Sequence, residues 1–482
     1  MPSFSVAGKN GNEAVVFIDR DHVDEETVKQ IGSIVSHPSV KNSRVMPDCH
    51  KGNGCCVGFT CELTESILPS LIGGDIGCGM TLHPFPAKII EKKNSFETFD
   101  RVVQSIIPMG NGWDRVHKEP VISPTQYKDF FEEANLLAQA FADSYFRKFN
   151  IDLRPFIPPY SLQWMQSDLS TRLQTDWQYD MRCLGTLGGG NHFIELNEVS
   201  PSDVNSFFPS SSSSSSSSSL AQPHTYYLSV HSGSRNLGQK IASYHYTQLL
   251  LRRSGAETVP ATFATNEAYG EVDDDDDADT RPFDPAMLGL SGRDAAVYFF
   301  DMIWAQIWAQ MNRRAIISMI LSHYDVAYDS ASIIESVHNY IDFNDMVIRK
   351  GAISARKDEL CVIALNMRDG LLLCRGLGNQ EWNCSGPHGC GRVQSRHSAG
   401  GGGHKKTKKG SKEKQSKDIQ VKMRKFQQEM GNHVYSTCVV PETLDERPSV
   451  YKDAAVIEDA IADTAVVVHH ARTILNIKGY SC

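Results

Sequence analysis

The chain has 482 residues, 40% of them hydrophobic, and a net charge of −9. That is enough apolar material for one large catalytic unit or two to three domains, and the acidic balance excludes a molecule drawn to nucleic acid by its overall charge, so a polyanion site has to be a local basic cleft. The N-terminal residues lack a basic start followed by an apolar run. The most apolar later segment, Ala295–Leu321, is broken by Asp301, Gln306, Gln310, Asn312, Arg313 and Arg314, which predicts neither secretion nor a membrane span. Twelve cysteines without a CxxC pair argue against a disulfide scaffold and for a reducing compartment, cytoplasmic or nuclear.

In chain order, Ala14–Ile18, Val45–Met46 and Val57–Thr60 are short apolar runs between turn residues, which predicts strands and loops. Asp48 and His50 stand two apart beside them, on one side of the chain if it is extended. The stretch Leu71–Met80, LIGGDIGCGM, follows, with Asp75 and Cys78 three apart in a glycine frame. A carboxylate and a thiolate so placed suit one or two divalent ions, although the same residues suit a tight turn with an inert buried thiol. Residues 124–149 alternate at helical spacing, with Phe130, Phe131, Leu136, Leu137 and Phe141 expected on the buried stripe.

In CLGTLGGGNHFIEL (183–196), Asn191, His192 and Glu195 follow a glycine cluster. Imidazole is the commonest metal ligand, but a lone histidine beside a strand is more often a satisfied core residue. TYYLSVHSGSRNLGQKIA then reads as a strand ending near His231, with a helix opening at about Gly238. Arg235 at such a helix start suits a phosphate. Ala295–Leu321 is predicted to be a long buried helix, and His338 to follow a helix, with Arg349 and Lys350 shortly after as further phosphate candidates. Residues 361–396 are dense in polar and special residues, and His388 and Arg392 stand four apart around glycines, as a covalent nucleophile beside a phosphate requires. Low-complexity insertions are expected at about 205–224 (serines), 268–283 (aspartates) and 397–420 (glycines and lysines).

The segments GGDIGCGM, GTLGGGNHFIE, VHSGSRNLG, VHNY, RKGA, PHGCGR and the terminal IKG, spread in this order over about residues 45–480, resemble the motifs of the RtcB-type RNA-splicing ligases. The chain is similar to a divergent branch of that family. The resemblance implies an α/β (mixed α+β) fold, a large single catalytic domain over residues 1–482 with a cleft for two Mn²⁺ ions. It implies Asp75, Cys78, His192, His231 and His338 as metal ligands, Cys78 bridging both ions, and His388 as the residue that takes GMP from GTP. It also implies that Asn191, His192, Glu195, Arg392, Tyr451 and Lys478 contact the guanylate.

The implied activity joins an RNA 3′-phosphate or 2′,3′-cyclic phosphate end to a 5′-hydroxyl end at the expense of GTP, in tRNA splicing or RNA repair. Implied partners are RNA (tRNA exon halves or broken ends), GTP, and an archease-like helper or ligase-complex subunits. Two departures stand out. Residues 365–370 and 378–383 replace a glycine-serine-rich segment, so phosphate and guanine contacts made there do not transfer, and Cys390 stands where alanine is usual. Two other readings remain, a cyclic phosphodiesterase that opens ends without sealing them and a non-catalytic RNA-binding scaffold. The intact His388 and ligand set weigh against the second.

Overall fold

The most apolar run of the sequence becomes the longest helix, Gly292–His323, of the computed structural model, which describes residues 2–110, 112–123, 125–200, 225–254, 289–399 and 409–479. Phe299, Ile303, Trp304, Trp308 and Met311 are buried on different faces of it, as in a helix that is apolar all round and lies inside a core. One end packs among helices Tyr127–Phe149 and Arg235–Ser254, where Phe131 stacks on Trp304 at 4.8 Å and Phe141 meets Phe299 edge-on at 5.3 Å. The predicted stripe of Tyr127–Phe149 needs one correction. Its buried face is Phe131, Ala134, Ala138, Phe141, Ala142 and Tyr145, while Leu136 is 74% exposed because it lies off the i, i+3, i+4, i+7 row.

The described strands are β1 (Phe4–Ala7), β2 (Glu13–Val16), β3 (Lys41–His50), β4 (Val57–Glu62), β5 (Gly79–Phe85), β6 (Phe193–Val199), β7 (Thr225–Ser232), β8 (Ile334–Val337), β9 (Asn339–Asp342), β10 (Val347–Lys350), β11 (Ala352–Ser354), β12 (Leu360–Asn366), β13 (Gly370–Gly376), β14 (Ser385–Pro387) and β15 (Ala465–Lys478). A six-stranded sheet runs β1-β2-β3-β4-β10-β9, a seven-stranded one runs β12-β13-β15-β6-β7-β5-β8, and β11 pairs with β14. Apart from the parallel β2–β3 pair, the pairings are antiparallel. Strands and helices are interleaved in one mixed α/β domain.

The register of the larger sheet decides where chemistry collects. Gly79 pairs with Ser232 on one side and Val337 on the other, and Phe193 pairs with both His231 and Lys478. Neighbouring antiparallel strands begin and end at the same edge, so Cys78, His192, His231, His338 and Lys478 share one end of the sheet.

Three expectations differ from the structure. His338 follows strand β8, not a helix: Ile334–Val337 has the alternating burial of a strand, a period too short to distinguish from one helical turn by sequence. The helix expected at Gly238 starts at Arg235. The glycine- and lysine-rich insertion expected at about 397–420 is helical from Lys409, the helix running to Met430, where Phe426 and Met430, four apart, pack with Met367 and Leu444. The serine and aspartate insertions lie outside the described residues. Among those described, no helix is long and apolar enough to cross a membrane.

Candidate active site

At the shared sheet end, Cys78 Sγ lies 3.2 Å from His231 Nε2 and 3.4 Å from His192 Nε2. His231 Nε2 is 3.2 Å from His338 Nε2, and His192 Nε2 is 2.9 Å from Asp75 Oδ2. Two overlapping donor groups result, Asp75–Cys78–His192 and Cys78–His231–His338, with Cys78 common to both. Donors around an ion held at about 2.0–2.3 Å in a tetrahedron stand about 3.3–3.8 Å apart, close to the sulfur–nitrogen separations here. The donor set of thiolate, imidazole and carboxylate is one that divalent transition metals take.

Electrostatics favour the ligating protonation states. Burial, and then the neighbouring imidazoles, hold His231 and His338 well below the ordinary 6.5, so both are neutral. Burial pushes the Asp75 carboxyl up, but His192, the hydrogen bond to Cys78 and the Arg235 charge outweigh it and hold Asp75 ionised. His192 Nδ1–H donates to Leu187 O at 3.0 Å, which turns its Nε2 lone pair toward the cluster. Gly233 has no room for a side chain, since a Cβ there would lie 1.8 Å from Asp75 Oδ1.

The loops that deliver these donors are pinned by two adjacent, fully buried residues of the long helix. Asn312 Oδ1 accepts from Gly185 N (2.8 Å) and Thr186 N (3.2 Å), and its Nδ2 donates to Ser232 Oγ (3.0 Å) and Gly233 O (3.1 Å). Arg313 donates to Gly77 O at 2.7 Å and Ser232 O at 3.0 Å, and pairs with Glu335 at 2.7 Å. In the sequence this pair stands only as one of the polar breaks in the apolar run Ala295–Leu321. Its burial in the middle of that helix is the property that local pattern does not carry.

His388 follows β14 and is held by a residue that the sequence left without a role. Asp48 Oδ2 accepts from His388 Nδ1 at 2.7 Å and from the backbone N–H groups of His388 and Gly389 at 3.1 and 3.2 Å. Asp48 is fully buried. Gly391, with φ +71°, lets the loop close on it, for a Cβ there would lie 1.9 Å from Asp48 O. The His388 ring sits against that of His338, centroids 4.6 Å apart, so the donor cluster and the histidine loop form one site.

His231 of the cluster and His388 line a cleft together with Asn191, Glu195, Arg392, Tyr451 and Lys478. A second residue missed by sequence reasoning, Glu446, organises its far wall. Its buried carboxylate takes Lys478 Nζ, Tyr451 OH (2.9 Å), Arg392 (3.3 Å) and Arg396 (2.8 Å). Burial raises the pKa of Glu446, but Lys478, Arg396 and Arg392 bring it down from 4.5 to about 2. Glu195 is buried and accepts from Asn476 (2.7 Å), Asn197 (2.9 Å) and Thr473 (3.1 Å). Residues 364–367 and 370–371, the divergent hairpin of β12 and β13, close the cleft and bring Leu365 and Met367 to its lining.

The three phosphate candidates do not stay together. Arg235 lies beside the donor loops, its Nε 3.4 Å from Thr186 Oγ1. Arg349 is fully buried away from the cleft lining, tied to Asp342 (2.6 Å), Tyr340 (2.9 Å) and Ser385 (2.8 Å), so its charge is consumed by the fold. Lys350 is likewise buried.

An oriented histidine beside transition-metal donors is the equipment of metal-assisted covalent catalysis. The chain belongs to the RtcB family, whose model, described as tRNA-splicing ligase RtcB, matches residues 30–479. It is 26% identical over 481 residues to the RNA-splicing ligase RtcB of Escherichia coli strain K12, covering 95% of each chain. It is 25% identical over 474 residues to RNA-splicing ligase RtcB1 of Escherichia coli strain ATCC 25922, again covering 95% of each. A tRNA-splicing ligase RtcB of Methanococcus maripaludis matches at 26% over 246 residues, 47% of this chain and 45% of that one. At these identities the chain is a divergent homologue.

Proposed function

We propose that the protein is a GTP- and Mn²⁺-dependent RNA ligase that joins 3′-phosphate or 2′,3′-cyclic phosphate ends to 5′-hydroxyl ends through a guanylylated His388. The observation that carries this is the Asp48–His388–His338 arrangement, a histidine fixed by a buried carboxylate and turned against the donor cluster. With its Nδ1–H donated to Asp48, His388 keeps its lone pair on Nε2, the nitrogen that acts as nucleophile. Nε2 attacks the α-phosphorus of GTP, the bond to the pyrophosphate oxygen breaks, and Asp48 stabilises the positive charge left on the ring. A 2′,3′-cyclic end is first opened by water to the 3′-phosphate; the RNA 3′-phosphate then takes the GMP from Nε2, and the 5′-hydroxyl of the second strand, giving up its proton, displaces GMP to form the new phosphodiester.

Asp75, Cys78, His192, His231 and His338 would hold two Mn²⁺ ions, Cys78 standing in both donor groups, and the ions would supply Lewis-acid neutralisation of phosphate charge. Arg392, Lys478 and Tyr451, gathered on Glu446, together with Asn191 and Glu195, would seat the guanylate. The family membership and the names of the relatives support the RNA substrate.

The test is an end-joining assay. A 3′-phosphate RNA and a 5′-hydroxyl RNA, incubated with the protein, GTP and Mn²⁺, are expected to yield a joined strand that His388→Ala does not make. Opening of cyclic ends without any joined product would support a phosphodiesterase instead.

A further inference from the structure

Trp113 is 81% exposed, whereas the other five tryptophans, Trp164, Trp177, Trp304, Trp308 and Trp382, are buried or half-buried. An indole left in water forgoes one of the largest apolar burials a side chain offers. Its loop is not a loose tip. Before it, Gly110 N donates to Gly188 O at 2.9 Å and Leu187 N to Pro108 O at 3.0 Å. After it, His117 N donates to Arg182 O at 3.1 Å, and His117 Nε2–H to Gly185 O at 3.0 Å.

The loop is therefore clamped at both ends to the segment that delivers His192. Trp113 is three residues from Gly110, so its Cα lies within about 11 Å of the Gly110 Cα, at the Gly188 contact. The Arg235 guanidinium also packs against Gly188, 2.1 Å from where a Cβ would lie, and its charge acts on Asp75. Arg115 and Lys118 are exposed on the same loop, and the Arg182 guanidinium lies over the Tyr179 ring, 5.9 Å from its centroid.

An exposed aromatic with cations close by on a loop tied down at both ends, here Arg115 and Lys118 beside Asp114 and Glu119, holds single-stranded nucleic acid without reading its sequence, the ring stacking on a base and the cations taking phosphates. A protein partner would call for a tryptophan set in an apolar surround, whereas the neighbours in sequence here are Gly112, Asp114 and Arg115. We propose that Trp113 is the stacking platform for an unpaired base of the RNA strand whose end enters the His231–His388 cleft, with Arg115 and Lys118 on its phosphates. The identity of the strand rests on the ligase reading above.

The experiment uses the full chain and a fluorescein-labelled single-stranded RNA of about 12 nucleotides with a 3′-phosphate, read by fluorescence anisotropy. Trp113→Ala is expected to weaken binding about tenfold and Trp113→Phe to recover most of the loss, with the thermal midpoint unchanged because the ring is exposed. In a series of RNAs each lacking one base, one position is expected to bring the wild type down to the Trp113→Ala affinity and to leave Trp113→Ala indifferent. Affinity of Trp113→Ala within about twofold of wild type, a loss independent of which base is missing, or a wild type that binds no RNA each overturns the platform. So does a tryptophan needed only for capture of a helper protein. A wild type that depends on Trp113 for RNA yet joins no ends keeps the platform and loses the ligase reading. A wild type that joins ends while Trp113→Ala binds RNA normally does the reverse.

Discussion

Asp48 and Glu446 show how single buried carboxylates set the chemistry of this cleft. Each is separated by tens to hundreds of residues from the cations or imidazole it holds, and each uses more than one hydrogen bond to do so. Asp48 fixes the tautomer of His388. Glu446 keeps Lys478, Arg392 and Arg396 from repelling one another on one wall, and their charges return the favour by depressing its pKa to about 2 from 4.5. Because folding lowers that pKa, the pair contributes stability that is complete above about pH 4.5 and is lost as the pH falls through about 2. Urea unfolding between pH 6 and about pH 2.5 is therefore expected to show a steeper acid loss for wild type than for Glu446→Gln, whose amide does not titrate. Equal slopes would mean that other carboxylates carry the acid sensitivity. Neither carboxylate was assigned from sequence, and the reason is physical. Asp48 sits two residues from His50 in an ordinary-looking strand, and nothing local records that it meets a loop 340 positions on.

Among elements, the helix Gly292–His323 and the seven-stranded sheet divide the work. The sheet's register brings the ends of β5, β6, β7, β8 and β15 to one edge, and the helix pins the loops beyond that edge through Asn312 and Arg313. Arg313→Leu removes donors from Gly77 O and Ser232 O and leaves Glu335 without its closest cation. A loss of about 3 kcal/mol in unfolding free energy is expected, readable by urea denaturation. A change below about 0.5 kcal/mol would show that the loops hold themselves. The helix itself was legible in the sequence, because a long apolar run allows little else, and so were the glycine-framed stretches around Asp75, His192 and His388. The strand before His338 was not. Four residues of Ile-Glu-Ser-Val carry too short a period to settle it, and it is pairing with β5 that makes them a strand. The helix from Lys409 escaped notice for the opposite reason, since its polar composition hides the Phe426–Met430 contact that anchors it.

At the scale of the whole molecule, the donor cluster ties together segments from both halves of the chain, from Asp75 to His338, so a metal held there would link its binding to folding. A metal that binds only the folded chain stabilises it by about 2.7 kcal/mol when present at a hundred times its dissociation constant. Chelation is expected to lower the thermal midpoint, Mn²⁺ to restore it, and Cys78→Ala to remove most of the response, because both donor groups lose their common member. A midpoint indifferent to chelator and Mn²⁺ would leave the cluster a structural one. The central claim is that this cluster and His388 act as one guanylylating site. The most direct measurement incubates the protein with GTP labelled at the α-phosphate, with and without Mn²⁺, and recovers the chain after denaturation. An acid-labile label on His388 is expected that requires Mn²⁺, is absent from His388→Ala and forms at least about 100-fold more slowly in Asp48→Asn. A label that persists in His388→Ala, or no label on a protein that nonetheless joins RNA ends, would contradict that claim.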